Sequence, residues 1–163
     1  MRLIFLLLIS VLPSWAMAAS SDKQQTAYIT ADSTTLNYKT RTGIYRGHVK
    51  MTQGTTVILA DKVITYFTKD NKLEKATATG QLASYSTLPD DSQLPFTAVG
   101  QTINYYPLQG YVELIAQAQT TQGKDSLAGP HLKYDINQQT VVSLAEKNGH
   151  TTIIIQPNQK IAQ

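Results

Sequence analysis

Residues 45–53, "YRGHVKMTQ", count by two. Tyr45, Gly47, Val49, Met51 and Gln53 form a mainly apolar row, while Arg46, His48, Lys50 and Thr52 carry charge and hydrogen-bonding groups. That is the period of a strand with one buried face. The alternation returns at Val112, Leu114, Ala116 and Ala118, and more weakly at Ile153 and Ile155. After residue 26 almost nothing has helical periodicity. Turn signals separate the runs at Arg41-Thr42-Gly43, Lys69-Asp70-Asn71-Lys72, Leu108-Gln109-Gly110 and Asn148-Gly149. Asn-Gly and Asp-Asn tolerate the positive φ of tight hairpins. The stretch "STLPDDSQLP", residues 86–95, reads as a surface loop. Strands joined by short hairpins, without crossover helices, predict an antiparallel sheet.

One outline recurs four times: "ADSTTLNY" from residue 31, "ADKVITY" from 60, "AVGQTINY" from 98 and "AGPHLKY" from 128. The leading alanines are 29, 38 and 30 residues apart, and the long interval contains the loop at 86–95. A larger period also holds, since Tyr38 to Tyr105 is 67 residues, Tyr66 to Tyr134 is 68 and Gly54 to Gly123 is 69. The chain therefore reads as two similar halves, each of two hairpin-like units that stack and cover one another's apolar faces. Each unit carries an aliphatic-x-Tyr pair: Leu36 and Tyr38, Ile64 and Tyr66, Ile103 and Tyr105, Leu132 and Tyr134. Both members of a pair share one strand face, so stacking predicts a continuous stripe along the sheet.

The opening "MRLIFLLLISVLPSWAMA" has a charge at Arg2, an apolar run from Leu3 to Leu12, then Pro13 and the small-residue pattern Ala16-Met17-Ala18. Those parts predict a secretory signal peptide over residues 1–18, followed by a single domain over 19–163. The run is too short to span a bilayer. The chain has no cysteine, so its fold must close by packing and backbone pairing. Without Arg2 there are 13 basic and 11 acidic residues, and the basic ones are scattered. This is no nucleic-acid partner, which would show a basic face or run. His48, His131 and His150 fall in different units, and no nucleophile elbow or metal-ligand spacing occurs. The sequence thus predicts no catalytic group, no metal and no cofactor.

Read in order, "GHVKMTQGTTVILADKVITY" from 47, "ATATGQLASY" from 76, "INYYPLQGYVELIAQAQTTQG" from 103 and "LAGPHLKYDINQQTVV" from 127 resemble the LptA family, the OstA-like periplasmic lipopolysaccharide transport proteins. The resemblance covers roughly residues 27–156. It implies a half-open, twisted antiparallel β-jellyroll whose apolar interior shelters lipopolysaccharide acyl chains. It also implies head-to-tail self-assembly between LptC-like inner-membrane and LptD-like outer-membrane partners.

The candidate groove residues are Val49, Met51, Ile64, Tyr66, Ile103, Tyr105, Val112, Leu114, Leu132 and Tyr134. The first and last strand candidates, "TAYITA" from 26 and "TTIIIQP" from 151, lack the charges that blunt an edge. Tyr28, Ile29, Ile153, Ile154 and Ile155 are therefore the candidate docking residues for strand addition. Two other readings stand beside the carrier. One is an envelope β-repeat module that binds no lipid. The other is an LptC-like relative that keeps its N-terminal segment, against which the Ala16-Met17-Ala18 pattern argues.

Overall fold

The computed structural model describes residues 22–90, 92–144 and 149–156. The expected leader, Asn148 of the expected last turn and the tail from Pro157 lie outside them. The alternating stretches form ten strands: β1 (Ala27–Thr30), β2 (Ser33–Asn37), β3 (Thr42–Gln53), β4 (Thr56–Phe67), β5 (Leu73–Thr87), β6 (Phe96–Tyr106), β7 (Tyr111–Gln122), β8 (Asp125–Asp135), β9 (Thr140–Ser143) and β10 (Thr152–Ile154). A short 3-10 turn, Asp22–Gln24, precedes them. From β3 to β8 each strand pairs antiparallel with the next. β1 and β2 share the free side of β3, and β9 and β10 share the free side of β8. The two end pairs do not meet, so the sheet stays open.

The internal repeat is written in the backbone. Among the described residues, those with positive φ fall into pairs: Arg41/Gly110, Gly47/Ala116, His48/Gln117 and Gly54/Gly123, 69 residues apart, and Asn71/Gln139, 68 apart. Gly54 and Gly123 open two-residue hairpins that the sequence reading had not marked as turns. A glycine at the first position supplies the φ that such a hairpin needs. The two halves are thus β1–β5 and β6–β10. In the middle of the sheet β5 and β6 run unbroken, whereas their counterparts at the edges are split into β9/β10 and β1/β2.

Each long strand also carries an irregularity near its middle. The register shifts between Arg46 and Val49, Leu59 and Lys62, Thr79 and Ala83, Val99 and Thr102, and Ile115 and Ala118. Bulges sharpen bend and twist, and a row of them folds the sheet along one line. Its inner surface is thereby brought against itself. Phe96 of β6 stacks on Tyr134 of β8 with ring centroids 3.8 Å apart, although β7 lies between them in the sheet. The Tyr105 hydroxyl of β6 donates to Gln53 Oε1 of β3 at 3.2 Å.

The bulges also correct two of the groove assignments. On β4, Thr56 and Ile58 point inward, but beyond the irregularity the inward residues are Val63 and Thr65. Ile64 is consequently only half-buried, and Tyr66 lies on the outer face, 39% exposed. The extra residues lie on β3 and β5, yet the alternation of β4 slips by one at the crease, and a slip of one moves every following side chain to the other face. Leu36 and Tyr38 are exposed for another reason: among the described residues β2 is an end strand paired only with β3, and Tyr38 follows its last residue.

Candidate functional site

Among the described residues, the inner surface is the one large apolar feature. Val49, Met51, Ile103, Tyr105, Val112, Leu114, Leu132 and Tyr134 are each at most 1% exposed and lie in one cluster. The two inner surfaces touch, so the centre of the fold is packed core. The apolar face reaches solvent at the ends of the sheet instead. Beside β2, Leu36 and Tyr38 line a cleft with Tyr45 and Phe67. Beside β10, Phe96, Leu127, Val141 and the isoleucines 153 to 155 line another.

Register places the edge residues. Ile29 faces Met51 across β1–β3 and is half-buried, while Tyr28 points the other way and is 68% exposed. Ile153 lies opposite Leu127, which packs on the core, yet Ile153 is 63% exposed. Ile154 alternates to the outer face, and Ile155 follows the end of β10, 74% exposed. Among the described residues, both ends of the sheet thus offer unpaired, uncharged strand edges continuous with the apolar interior.

A polar cluster that sequence reasoning missed closes the space between the strand ends. The Asp22 carboxylate accepts hydrogen bonds from the Thr55 N–H at 2.8 Å, the Thr55 hydroxyl at 2.8 Å and the Thr56 hydroxyl at 2.9 Å, with Thr87 at 3.4 Å. Gln53 Nε2 donates to the Gln25 carbonyl at 3.0 Å. Burial pushes the phenols of Tyr85 and Tyr105 well above their ordinary range, so both remain neutral donors. The sequence signal was faint: a Gly-Thr-Thr turn and an isolated aspartate far away along the chain.

Elsewhere, His48 Nδ1 lies 2.7 Å from Asp32 Oδ2 on the surface, and the Asp32 hydrogen bond and charge raise the histidine's pKa. Among the described residues no cluster of histidine and carboxylate side chains has metal-site geometry.

Known proteins agree with this architecture. Residues 28–140 match the family described as LptA/(LptD N-terminal domain) LPS transport protein. The lipopolysaccharide export system protein LptH of Pseudomonas aeruginosa is 32% identical over 97% of this chain and 94% of its own length. Escherichia coli LptA, another lipopolysaccharide export system protein, is 25% identical over 88% of this chain and 78% of its own. The crystal structure of P. aeruginosa LptH, the periplasmic LptA homologue of a conserved lipopolysaccharide transport device, superposes with a TM-score of 0.78. It has 30% identity over 84% of this chain and 99% of that one.

Proposed function

Because the chain belongs to the LptA/(LptD N-terminal domain) family of LPS transport proteins, we propose that it is a non-enzymatic periplasmic carrier that shelters lipopolysaccharide acyl chains on its inner face. The observation that carries this reading is the apolar face itself, packed in the middle and uncovered at both ends of an open sheet. Each methylene exposed to water costs about 0.8 kcal/mol, so a bare chain of about a dozen carbons costs roughly 10 kcal/mol to move through an aqueous space. Covering that surface requires no bond-making. Lipid replaces the contacts between the two inner surfaces, such as the Phe96–Tyr134 stack, with contacts to its own tails.

The uncharged edges suit strand addition between copies. β1 and β2 of one protomer would pair with β10 of the next, and such a contact does not close on itself. The resulting head-to-tail bridge would end on an LptC-like partner at the inner membrane and an LptD-like partner at the outer. Direction is supplied by those partners, since the sequence holds no nucleotide-binding loop.

Strand parity provides the test. A photo-crosslinking residue is placed at Met51, which points inward, and separately at Lys50, which points out. Illumination with lipopolysaccharide should give a lipid adduct at 51 and none at 50. Two folded variants that both fail to react would return Met51 to sealed core and leave a docking scaffold as the better account.

A further inference from the structure

We propose that the hydroxyl cradle around Asp22 is an anion site for the phosphate of a phosphorylated glycolipid head, and that Asp22 fills it as a built-in substitute while the protein is empty. The proposal rests on the carrier reading and adds to it a recognition element for the head group.

The cradle is made of donors. One backbone N–H and the hydroxyls of Thr55, Thr56 and Thr87 converge on a single carboxylate. Among the described residues no cation forms an ion pair with that carboxylate. The Thr55 hydroxyl also accepts a hydrogen bond from the Leu88 N–H at 3.2 Å, which holds it in place without its occupant. The occupant is easily spared. Asp22–Gln24 buries no side chain, and a further anchor of the segment is the polar Gln53–Gln25 bond. A segment held by a few exchangeable polar contacts belongs to the low-stability end of a fold.

Two further observations point to a ligand. The Tyr85 hydroxyl, on a side chain 1% exposed, lies next to the Thr56 and Thr87 hydroxyls yet makes no well-formed hydrogen bond. A buried donor left in this way calls for a partner. A cleft of about 190 Å³ also adjoins the cradle, between Thr87 and Leu88 on one side and Tyr105, Gly110 and Ile136 on the other, with the cation of Lys23 and the carboxylate of Asp90 also on its lining. A phosphate monoester presents three strong acceptor oxygens and more charge than a carboxylate, so it can use the same donors and reach one more.

Position gives the site its use. It sits between the strand ends, directly over the apolar interior, where the head of an amphiphile comes to rest once its tails are inside. Head-group binding then expels residues 22–25 from the opening, and the interior opens to phosphorylated lipid in preference to other apolar molecules. Gly54 belongs to the device: any Cβ there would run into the Asp22 carboxylate.

The absence of native cysteine allows a single fluorophore on Gln24→Cys in the mature chain. This protein is titrated with diphosphoryl lipid A, with the same lipid after phosphatase treatment, and with inorganic phosphate alone. Diphosphoryl lipid should release the label and bind about tenfold more tightly than the dephosphorylated form, the worth of a charge-assisted hydrogen bond or more. Thr55→Ala with Thr87→Val should erase that preference, and Asp22→Asn, a weaker occupant, should strengthen phosphorylated-lipid binding several-fold. Release by inorganic phosphate alone supports the anion site and assigns it to free phosphate. Equal binding of both lipids with an unmoved label overturns the proposal. In that case an adduct at Met51 with either lipid leaves the carrier standing, whereas no adduct with either removes both.

Discussion

The two halves of the molecule share a backbone and differ in what they put inside it. With the 69-residue offset of the hairpin glycines, the pair Tyr45 and Val63 becomes Leu114 and Leu132, and the pair Gly43 and Thr65 becomes Val112 and Tyr134. In the second half a tyrosine on β8 fills the interior. In the first half that position holds Thr65, and the ring comes from Tyr45 of β3. Gly43 makes room for it, since a Cβ there would come within 2.6 Å of the Tyr45 hydroxyl. The aliphatic-x-Tyr motif therefore marks the interior at Leu132–Tyr134 and the outside at Ile64–Tyr66. The same letters lie one residue out of phase with the repeat that the backbone obeys.

The largest effect that can break this comparison is a pair of truncations. Leu132→Ala removes a fully buried side chain and should cost about 2–5 kcal/mol. Ile64→Ala, at the matching place in the motif but on the other face, should cost about 1 kcal/mol. Urea unfolding measures both, and equal losses would undo the assignment of faces. Tyr134→Phe sharpens the point. Its hydroxyl is buried without a partner, so removing it should be neutral or stabilising by up to about 1 kcal/mol despite the deep burial of the ring.

Much of the fold was legible because period and turn chemistry are local. The odd-numbered row of β3 and the rows of β7 need only nearest-neighbour sterics to declare themselves. The two-half organisation was visible in Gly54 and Gly123. Phase was less accessible. The slip of β4 between Leu59 and Lys62 leaves no residue signature on that strand, since neither glycine nor proline stands there, and everything after it changes face. Glycine does mark the β3 bulge at Gly47, but its partner in β7 is Ala116, which hides the same bend behind an ordinary residue. The Asp22 cradle was beyond sequence reasoning because it unites residues 33 to 65 positions apart. Only the folding of the sheet brings them together.

Those two bulges offer the next test, of intermediate size. Gly47 and Ala116 are counterparts with φ of 76° and 59°. At Gly47 a side chain meets both the left-handed penalty and the Asp32 carboxylate, so Gly47→Ala should cost about 1–2 kcal/mol or somewhat more. Ala116 already bears the penalty, so Ala116→Gly should gain up to about 1 kcal/mol, less the entropy that glycine adds to the unfolded chain. Opposite signs in the shift of the urea midpoint are expected. If both substitutions destabilise, packing around each bulge outweighs its dihedral angle, and the halves are less alike there than their backbones suggest.

The smallest expected effect separates the halves by titration. His48 sits in the first bulge with its Nδ1 2.7 Å from Asp32 Oδ2, while the counterparts of the two residues in the second half are Gln117 and Gln101. The hydrogen bond and charge of Asp32 favour the imidazolium, Asp61 adds a little, and slight desolvation opposes, so the folded pKa lies above 6.5. A raised folded value means that the interaction contributes its full stability below the unfolded pKa. That contribution is then lost as pH rises through the folded one. The site is fully exposed, which makes the effect small and sensitive to salt. His48→Gln rewrites the first bulge as the second and should flatten this part of the urea-midpoint profile between about pH 5 and pH 9. NMR titration reads the cause directly: Asp32→Asn should lower the pKa of His48 toward its ordinary value. An unchanged value in that variant would mean that Asp32 does not hold the ring in solution, and the two bulges would then differ in letters alone.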